Sequence, residues 1–439
     1  MNTAERSMGL GLRAITRLAG SDVLDRVGMR KHVERALYRA SRDGFRSATA
    51  ASRTFSAAMK LGKPARQATS TSSSGLFDVT PDDEQQMLQE AVRAFAAEAV
   101  RPAALAADDA CATPPELLEQ AGELGLTMLG VPEDLGGVMA ERSAVTTVLV
   151  AEALAHGDLG IAVAALAPGS VATALGLWGD ADQQATYLPA FTGDDVPAAA
   201  LAVLERRPLF DPFALQTRAR RDGDEWVISG EKSMVPRAAE DELFVVAAHA
   251  EGVGPALFVI ESSTAGLSVQ QEPAMGIRAA ATGRLVLEDV RVPAGAILAE
   301  GDPEAYMDCV QRSRIAWSAV AVGVAGAVLD YVIPYVNERT AFGEPISNRQ
   351  AVAFTVSNIG IELEGMRLTT LRAASRADRG DSFAREAALA RRLCADKGVR
   401  IGSDGVQLLG GHGYVKEHPV ERWYRDLRSA GVMEGALIV

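Results

Sequence analysis

The amino-acid sequence predicts a mainly α-helical protein with a central β-domain: an N-terminal helical domain, a small β-barrel-like middle domain and a C-terminal four-helix bundle. Three observations carry this expectation. Helical periodicity runs from Thr80 to about Gly193, short β-rich runs occupy 198–293, and long helical patterns return after Pro293. The chain has 439 residues and is 48% hydrophobic, enough to fill a large core, while aromatics are only 5%. Packing should therefore rest on small and aliphatic side chains, which suits closely packed helices.

The first element, residues 1–75, stands apart by charge. Residues 1–66 carry 14 Lys/Arg against 5 Asp/Glu, whereas the remainder carries 30 against 52. Apolar Leu10, Leu12, Ile15, Leu18, Val33 and Leu37 recur at helical spacing among arginines such as Arg13, Arg17, Arg30 and Arg35. Such basic amphipathic helices suit an anionic membrane surface or an acidic partner, and equally suit packing on their own domain. Residues 61–75, rich in Ser and Thr with Pro and Gly, read as a linker. The chain lacks 18 uninterrupted apolar residues and a compact signal core, so the expectation is a cytoplasmic protein, peripheral at most at a membrane's inner face. Cys111, Cys309 and Cys394 form no CxxC pair and the five histidines show no ligand spacing, so neither a disulfide framework nor a metal is expected. No nucleic-acid partner is expected either.

The N-terminal helical domain is placed at 76–197. Thr80, with Glu84 nearby and Pro81 at the first helical position, is the expected start of its first helix. The middle domain, 198–293, contains DEWVISGEK, ELFVVAAHA, PALFVIE, GLSVQQ and GRLVLEDVRVP, each bounded by Gly, Pro or charged turns. The C-terminal domain, 294–439, opens with RIAWSAVAVGVAGAVLDYVIPYVNER and QAVAFTVSNIGIELEGMRLTTLRAASRA, lengths that suit a bundle.

Several separated segments, in order, carry a resemblance. They are GVPEDLGG at 130–137, AEALAHGDLGIAVAAL followed by GDADQQATYLPAFTGD, MGIRAAATGRLVLEDVRVP at 275–293, ERTAFGEPISNRQAV at 338–352, and GVQLLGGHGYVKEHPVERWYRDLRSAGVMEG at 405–435. Together they resemble the acyl-CoA dehydrogenase family over about Thr80 to Val439. The resemblance implies FAD as cofactor, an acyl-CoA substrate, an electron-transfer flavoprotein as partner, and a homodimer or homotetramer.

Arg339 is a permanent cation suited to bidentate pairing with a diphosphate, and in the family the matching arginine reaches the flavin of a neighbouring subunit. Read alone, it is a solvated helix-end arginine. By the same resemblance Gln350 faces the adenine end. Gly410 and Gly411 let the backbone adopt φ > 0 and approach a ligand, and Gln407 offers an amide to a cofactor. Without a preceding strand, this glycine run is not a dinucleotide fingerprint.

Glu434 stands where the family places its catalytic glutamate, and Gly435 and Arg314 where it places residues beside the substrate. Oxidising an acyl thioester needs a carboxylate for the α-proton and an acceptor, flavin N5 in the family, for the β-hydride. Apolar Val432 and Met433 are expected to desolvate Glu434, whose backbone N–H would donate to the thioester carbonyl. Some family members take the base from the long helix after the β-domain; the matching residue here is Ser313, which cannot serve.

The departures fall on the flavin side. Where the family has Thr-Glu-Pro-Gly and a following Gly-Ser-Asp, this chain has LERRPLFDPF, which keeps Glu205 and Asp211 but places Leu204, Arg206, Arg207 and Phe210 at the other positions. The next flavin-contacting strand, commonly Trp-Ile-Thr, is Met234, Val235 and Pro236, and proline has no N–H to donate. Loss of three neutral hydrogen bonds would weaken flavin affinity by roughly 10- to 1000-fold. A second reading therefore stands beside the enzyme: a non-catalytic or flavin-poor subunit that serves as an oligomer or membrane-associated assembly component.

Overall fold

The computed structural model describes residues 80–439 apart from 138, 140, 141 and 194. The basic extension, its linker and its expected membrane or acidic-partner contact lie outside the described residues. The first helix, α1 (Asp83–Phe95), starts two residues later than the Thr80 signal suggested, because Asp82 makes the better cap. Its carboxylate accepts from the Gln85 N–H at 2.8 Å while the Gln85 side chain accepts from the Asp82 N–H at 3.1 Å. A single π-helical turn, Ala96–Val100, joins α1 to α2 (Arg101–Ala110), and α3 (Pro115–Glu123) follows.

Helices α4 (Ala144–Ala155) and α5 (Leu159–Trp178) are apolar on all faces and almost wholly buried. By length and composition alone, α5 would cross a membrane, yet its apolar stretch is covered by protein, as expected of a core helix. The short α6 (Ala181–Tyr187) closes this part.

The sheet is mixed. Its strands are β1 (Ala199–Ala202), β2 (Arg218–Asp222), β3 (Glu225–Val235), β4 (Leu243–Ala250), β5 (Gly254–Glu261), β6 (Leu267–Gln271) and β7 (Gly283–Pro293). Strand β4 is central: β5 runs antiparallel along one edge, while β1 and β2 share the other edge in parallel register. The long β3–β7 pair carries two register shifts, one between Lys232 and Val235, where the strand turns its last residues aside. An inner cluster including Trp226, Phe244, Phe258 and Leu285 fills the domain.

Beyond the sheet come α7 (Pro303–Glu338), the small hairpin β8 (Thr340–Ala341) and β9 (Glu344–Pro345), α8 (Gln350–Asp378) and α9 (Ala384–Leu409). The short α10 (Val420–Asp426) packs against α9 as the fourth, smaller member, and α4 packs along α7. Gly323 permits that last approach, since a Cβ there would lie 2.2 Å from the Glu152 carbonyl oxygen. After α11 (Ser429–Val432) the chain forms a two-residue strand, β10 (Gly435–Ala436), that pairs antiparallel with β1. A segment of the helical bundle is thereby stitched into the sheet, one residue after Glu434.

Candidate active site

Glu434 is held at the junction of α7, α9 and the sheet. Gly435 has φ +74°, and a Cβ on it would meet the Val203 side chain at 2.6 Å, so only glycine lets β10 lie against β1 here. Ser313, set aside above as a base, instead fixes that glycine. Its hydroxyl donates to the Gly435 carbonyl at 3.0 Å and accepts from the Gly435 N–H at 2.8 Å, while Trp317 Nε1 donates to the same carbonyl at 2.8 Å.

The Glu434 side chain is only 5% exposed. Its Oε1 accepts from Arg314 Nη2 at 3.1 Å and Nε at 3.3 Å, and lies 3.0 Å from Arg391 Nη2. Its Oε2 is buried and has no hydrogen-bond partner among the described residues. Of the two apolar residues expected to desolvate it, Met433 is 1% exposed and Val432 is 58% exposed. The nearest neighbours of the carboxylate are two guanidiniums, and Arg314 also stacks over Phe213 at 5.7 Å.

The sheet side is built around a second buried carboxylate. Glu205 accepts from the Gln216 and Thr217 N–H groups at 2.7 and 2.9 Å and from Lys232 Nζ at 3.0 Å. Burial works against its charge, but Lys232 and the two backbone donors overcome it and hold the carboxyl below its ordinary value. Asp211 accepts from the Phe213 N–H, and Arg207 donates to the Asp211 and Ala214 carbonyls and lies over the Phe210 ring, so this loop folds onto itself. Met234 adopts φ +56°, its N–H donating to Glu272 Oε2 at 2.8 Å, and the Ser233 hydroxyl donates to the same carboxylate. Pro236 is buried beside them, without a donor.

A separate cleft of about 740 Å³ opens between the end of α7, the β8–β9 hairpin, the start of α8 and the end of α9. It brings together Arg339, Gln407, Gly410 and Gly411, as the sequence predicts, and adds Arg349, Tyr335 and His412. Tyr335 Oη lies 2.9 Å from His412 Nδ1 and fixes that ring. Gln350 begins α8 and is exposed, next to lining residues Arg349 and Ala351 but not itself in the wall. Of the two glycines, Gly410 has φ +58° and Gly411 an ordinary φ; a Cβ on either would meet nothing within 4 Å. Two guanidiniums, an amide and an unobstructed glycine backbone fit the diphosphate half of a dinucleotide.

A helix–sheet–helix chain with the buried carboxylate of Glu434 at the interface of its parts, and a cationic cleft with room for a diphosphate, fits an oxidoreductase of the dinucleotide-dependent kind. The chain belongs to the acyl-CoA dehydrogenase family. The family's N-terminal, middle and C-terminal domains match residues 82–194, 200–290 and 304–437. It is 34% identical over 361 residues to the bovine mitochondrial short-chain specific acyl-CoA dehydrogenase, covering 80% of this chain and 86% of that one. Its fold is similar to that of butyryl-CoA dehydrogenase from Megasphaera elsdenii, with a TM-score of 0.75 and 26% identity over 81% of this chain and 95% of that one. It is also similar to a glutaryl-CoA dehydrogenase from Mycobacterium smegmatis in complex with FADH2, with a TM-score of 0.73 and 25% identity over 80% and 90% of the two chains. The protein is an enzyme of that family.

Sequence reasoning missed Arg391, Ser313 as a partner of Gly435, and Glu272. No local pattern separates Arg391 from the adjacent Arg392. For Ser313 the signal was present, since a hydroxyl on a buried helix face needs a partner.

Proposed function

We propose that this enzyme oxidises a short-chain acyl-CoA thioester to the trans-2-enoyl product, with Glu434 as the base that removes the α-proton. One observation carries the reading: Glu434 Oε2 is buried without a donor while Oε1 is held by Arg314 and Arg391. An unsatisfied buried carboxylate oxygen is costly to stability, and such exceptions belong at reactive sites. Oε2 is thus the oxygen that accepts the proton. Arg314 and Arg391 keep the carboxylate from turning, and Ser313 and Trp317 keep its backbone from shifting. The Glu434 N–H donates to the thioester carbonyl as negative charge builds there.

FAD, when bound, supplies the two-electron acceptor for the β-hydrogen. Arg339, Arg349, Gln407, Gly410 and Gly411 would hold its diphosphate and Gln350 its adenine end, with Met234 and Pro236 on the ring side. The short-chain preference is supported by the space beyond Gly435. Between α4, α5 and α7 the cavity that Leu437 and Ile438 help to line has only about 20 Å³ open. Two of the similar enzymes, the bovine short-chain specific enzyme and the butyryl-CoA dehydrogenase, are named for short acyl groups.

Electron-transfer flavoprotein is the proposed acceptor of the electrons, to be checked by its reduction in a coupled assay. A homodimer or homotetramer is supported by the exposed Phe354, Ile361 and Leu368, seven residues apart on α8, and sedimentation velocity would show whether it forms. The division at 76–197, 198–293 and 294–439 and a cytoplasmic setting are part of the same proposal. Limited proteolysis and cell fractionation test them.

The decisive experiment adds butyryl-CoA anaerobically to the purified protein and follows the flavin band. Bleaching is expected in the wild type, and Glu434→Gln should retain flavin while slowing bleaching on the order of 100-fold or more. Undiminished bleaching in that variant would place the base elsewhere. A colourless protein that cannot be reconstituted with FAD would remove the cofactor from the proposal.

A further inference from the structure

We propose that Arg391 is a positioning residue for the base: it joins Arg314 on Glu434 Oε1 and ties the segment carrying Glu434 to α9, so that Oε2 alone meets the substrate. The inference rests on Glu434 being the base, as argued above. The Arg391 guanidinium makes three contacts, one to the end of α11 and two to the turn between α11 and β10. Nη1 donates to the Met433 carbonyl at 2.7 Å, Nη2 donates to the Gly431 carbonyl at 3.4 Å, and Nη2 lies 3.0 Å from Glu434 Oε1. One turn further along α9, Ala395 packs where a Cβ on Gly431 would sit, 3.3 Å away, so the turn rests on the helix as well as on the side chain.

Arg314 reaches the same oxygen from α7 on the other side. Two cations on one oxygen leave the second with a single orientation, which a lone arginine hinged at its own Cα does not enforce. The remaining charged and titratable groups near Glu434 are arranged differently. Arg312 on α7 donates to the Val439 carbonyl and pairs with Asp308, and the thiol of Cys309 and phenol of Tyr306 are pushed up mainly by burial and further by the Glu434 and other nearby negative charges. On the sheet side Lys232 is spent on Glu205. None of these approaches Oε1, so the two arginines set its environment.

As the α-proton passes to Oε2, the carboxylate loses its charge and the negative charge moves to the substrate. The two guanidiniums resist that transfer while Glu434 is their counterion, and the geometry they impose is their contribution. Removing Arg391 should therefore separate the two effects: the base becomes easier to protonate and less well aimed. In Arg391→Met the acid limb of the pH dependence of flavin reduction should move to higher pH. The rate constant should fall roughly 10- to 100-fold with KM unchanged, and Arg391→Lys should restore the limb and most of the rate.

An unmoved acid limb in Arg391→Met, or a change confined to KM, flavin content or melting temperature, would overturn the proposal. A second measurement needs no turnover. Infrared pH-difference spectra of the purified protein, with Glu434→Gln assigning the carboxyl band, should show Glu434 protonating at higher pH in Arg391→Met. An identical titration overturns the assignment. If the wild type fails to reduce its flavin with any acyl-CoA, it is the dehydrogenase reading that falls, and the infrared titration still decides the role of Arg391.

Discussion

Replacing Lys232 by methionine should flatten the pH dependence of stability between about 8, the value to which burial pushes this ammonium down against the pull of Glu205, and its ordinary 10.5. The side chain is 0% exposed, and its Nζ has the Glu205 carboxylate at 3.0 Å and the Val203 carbonyl at 3.3 Å. The folded-state value lies below the unfolded one, so between those limits the unfolded chain binds more protons than the folded chain. Stability then rises with pH across the window and falls back as pH drops through the folded value. A gap of 2.5 units corresponds to about 3 kcal/mol at ~1.36 kcal/mol per unit. Urea midpoints at pH 7, 8, 9 and 10, at fixed protein concentration, should climb in the wild type and stay level relative to it in Lys232→Met. At pH 7 the single variant should lose about 3–5 kcal/mol, because Glu205 is left buried with backbone donors only, and Lys232→Met with Glu205→Gln should recover most of that. Parallel slopes in wild type and Lys232→Met would refute the buried-ammonium argument. The pair backs the strand end that carries Met234, so the same variants report how firmly the proposed flavin side is supported.

Two further outcomes are expected. Ile438→Ala, at a residue 3% exposed whose N–H donates to Ser170 Oγ, should cost about 2–5 kcal/mol and enlarge the space beyond Gly435. The ratio of kcat/KM for hexanoyl-CoA over butyryl-CoA should then rise; an unchanged ratio would mean that the acyl chain takes another path. Asp426, raised by burial and by the neighbouring Asp158 charge, should draw stability away as pH rises from its ordinary 3.8 through its folded value, and Asp426→Asn should lessen that fall in chemical denaturation between pH 5 and pH 8.

Much of the architecture is legible because its period is strong. The runs around Trp226, Phe244, Phe258 and Val286 alternate or stay apolar as strands do, and α7 and α8 sustain helical spacing over many turns. Strand β2 escaped notice because RARRD has one apolar residue in five; the two-residue turn at Gly223 and Asp224 and its pairing with β3 place it in the sheet. Strand β1, AALA, has a helical composition and is extended only because β4 and β10 flank it. At the site, Glu434, Arg314 and the glycines near Gly410 are marked by motif. The partners of Glu434 come from helices 43 and 120 residues earlier, and no local rule reports such meetings.

The pairing of β10 with β1 joins positions 201 and 436, 202 and 435. Such a contact closes a loop of more than two hundred residues, so it carries a larger loop-closure entropy cost than any hairpin or helical turn in the chain. The position of the proposed base is therefore set by a non-local contact: without the β10–β1 pairing, Gly435 and the residue before it lose the strand that holds them against the sheet. Flavin reduction by acyl-CoA is accordingly expected to vanish when the sheet and bundle separate, and to report the β10–β1 pairing more directly than helical content does.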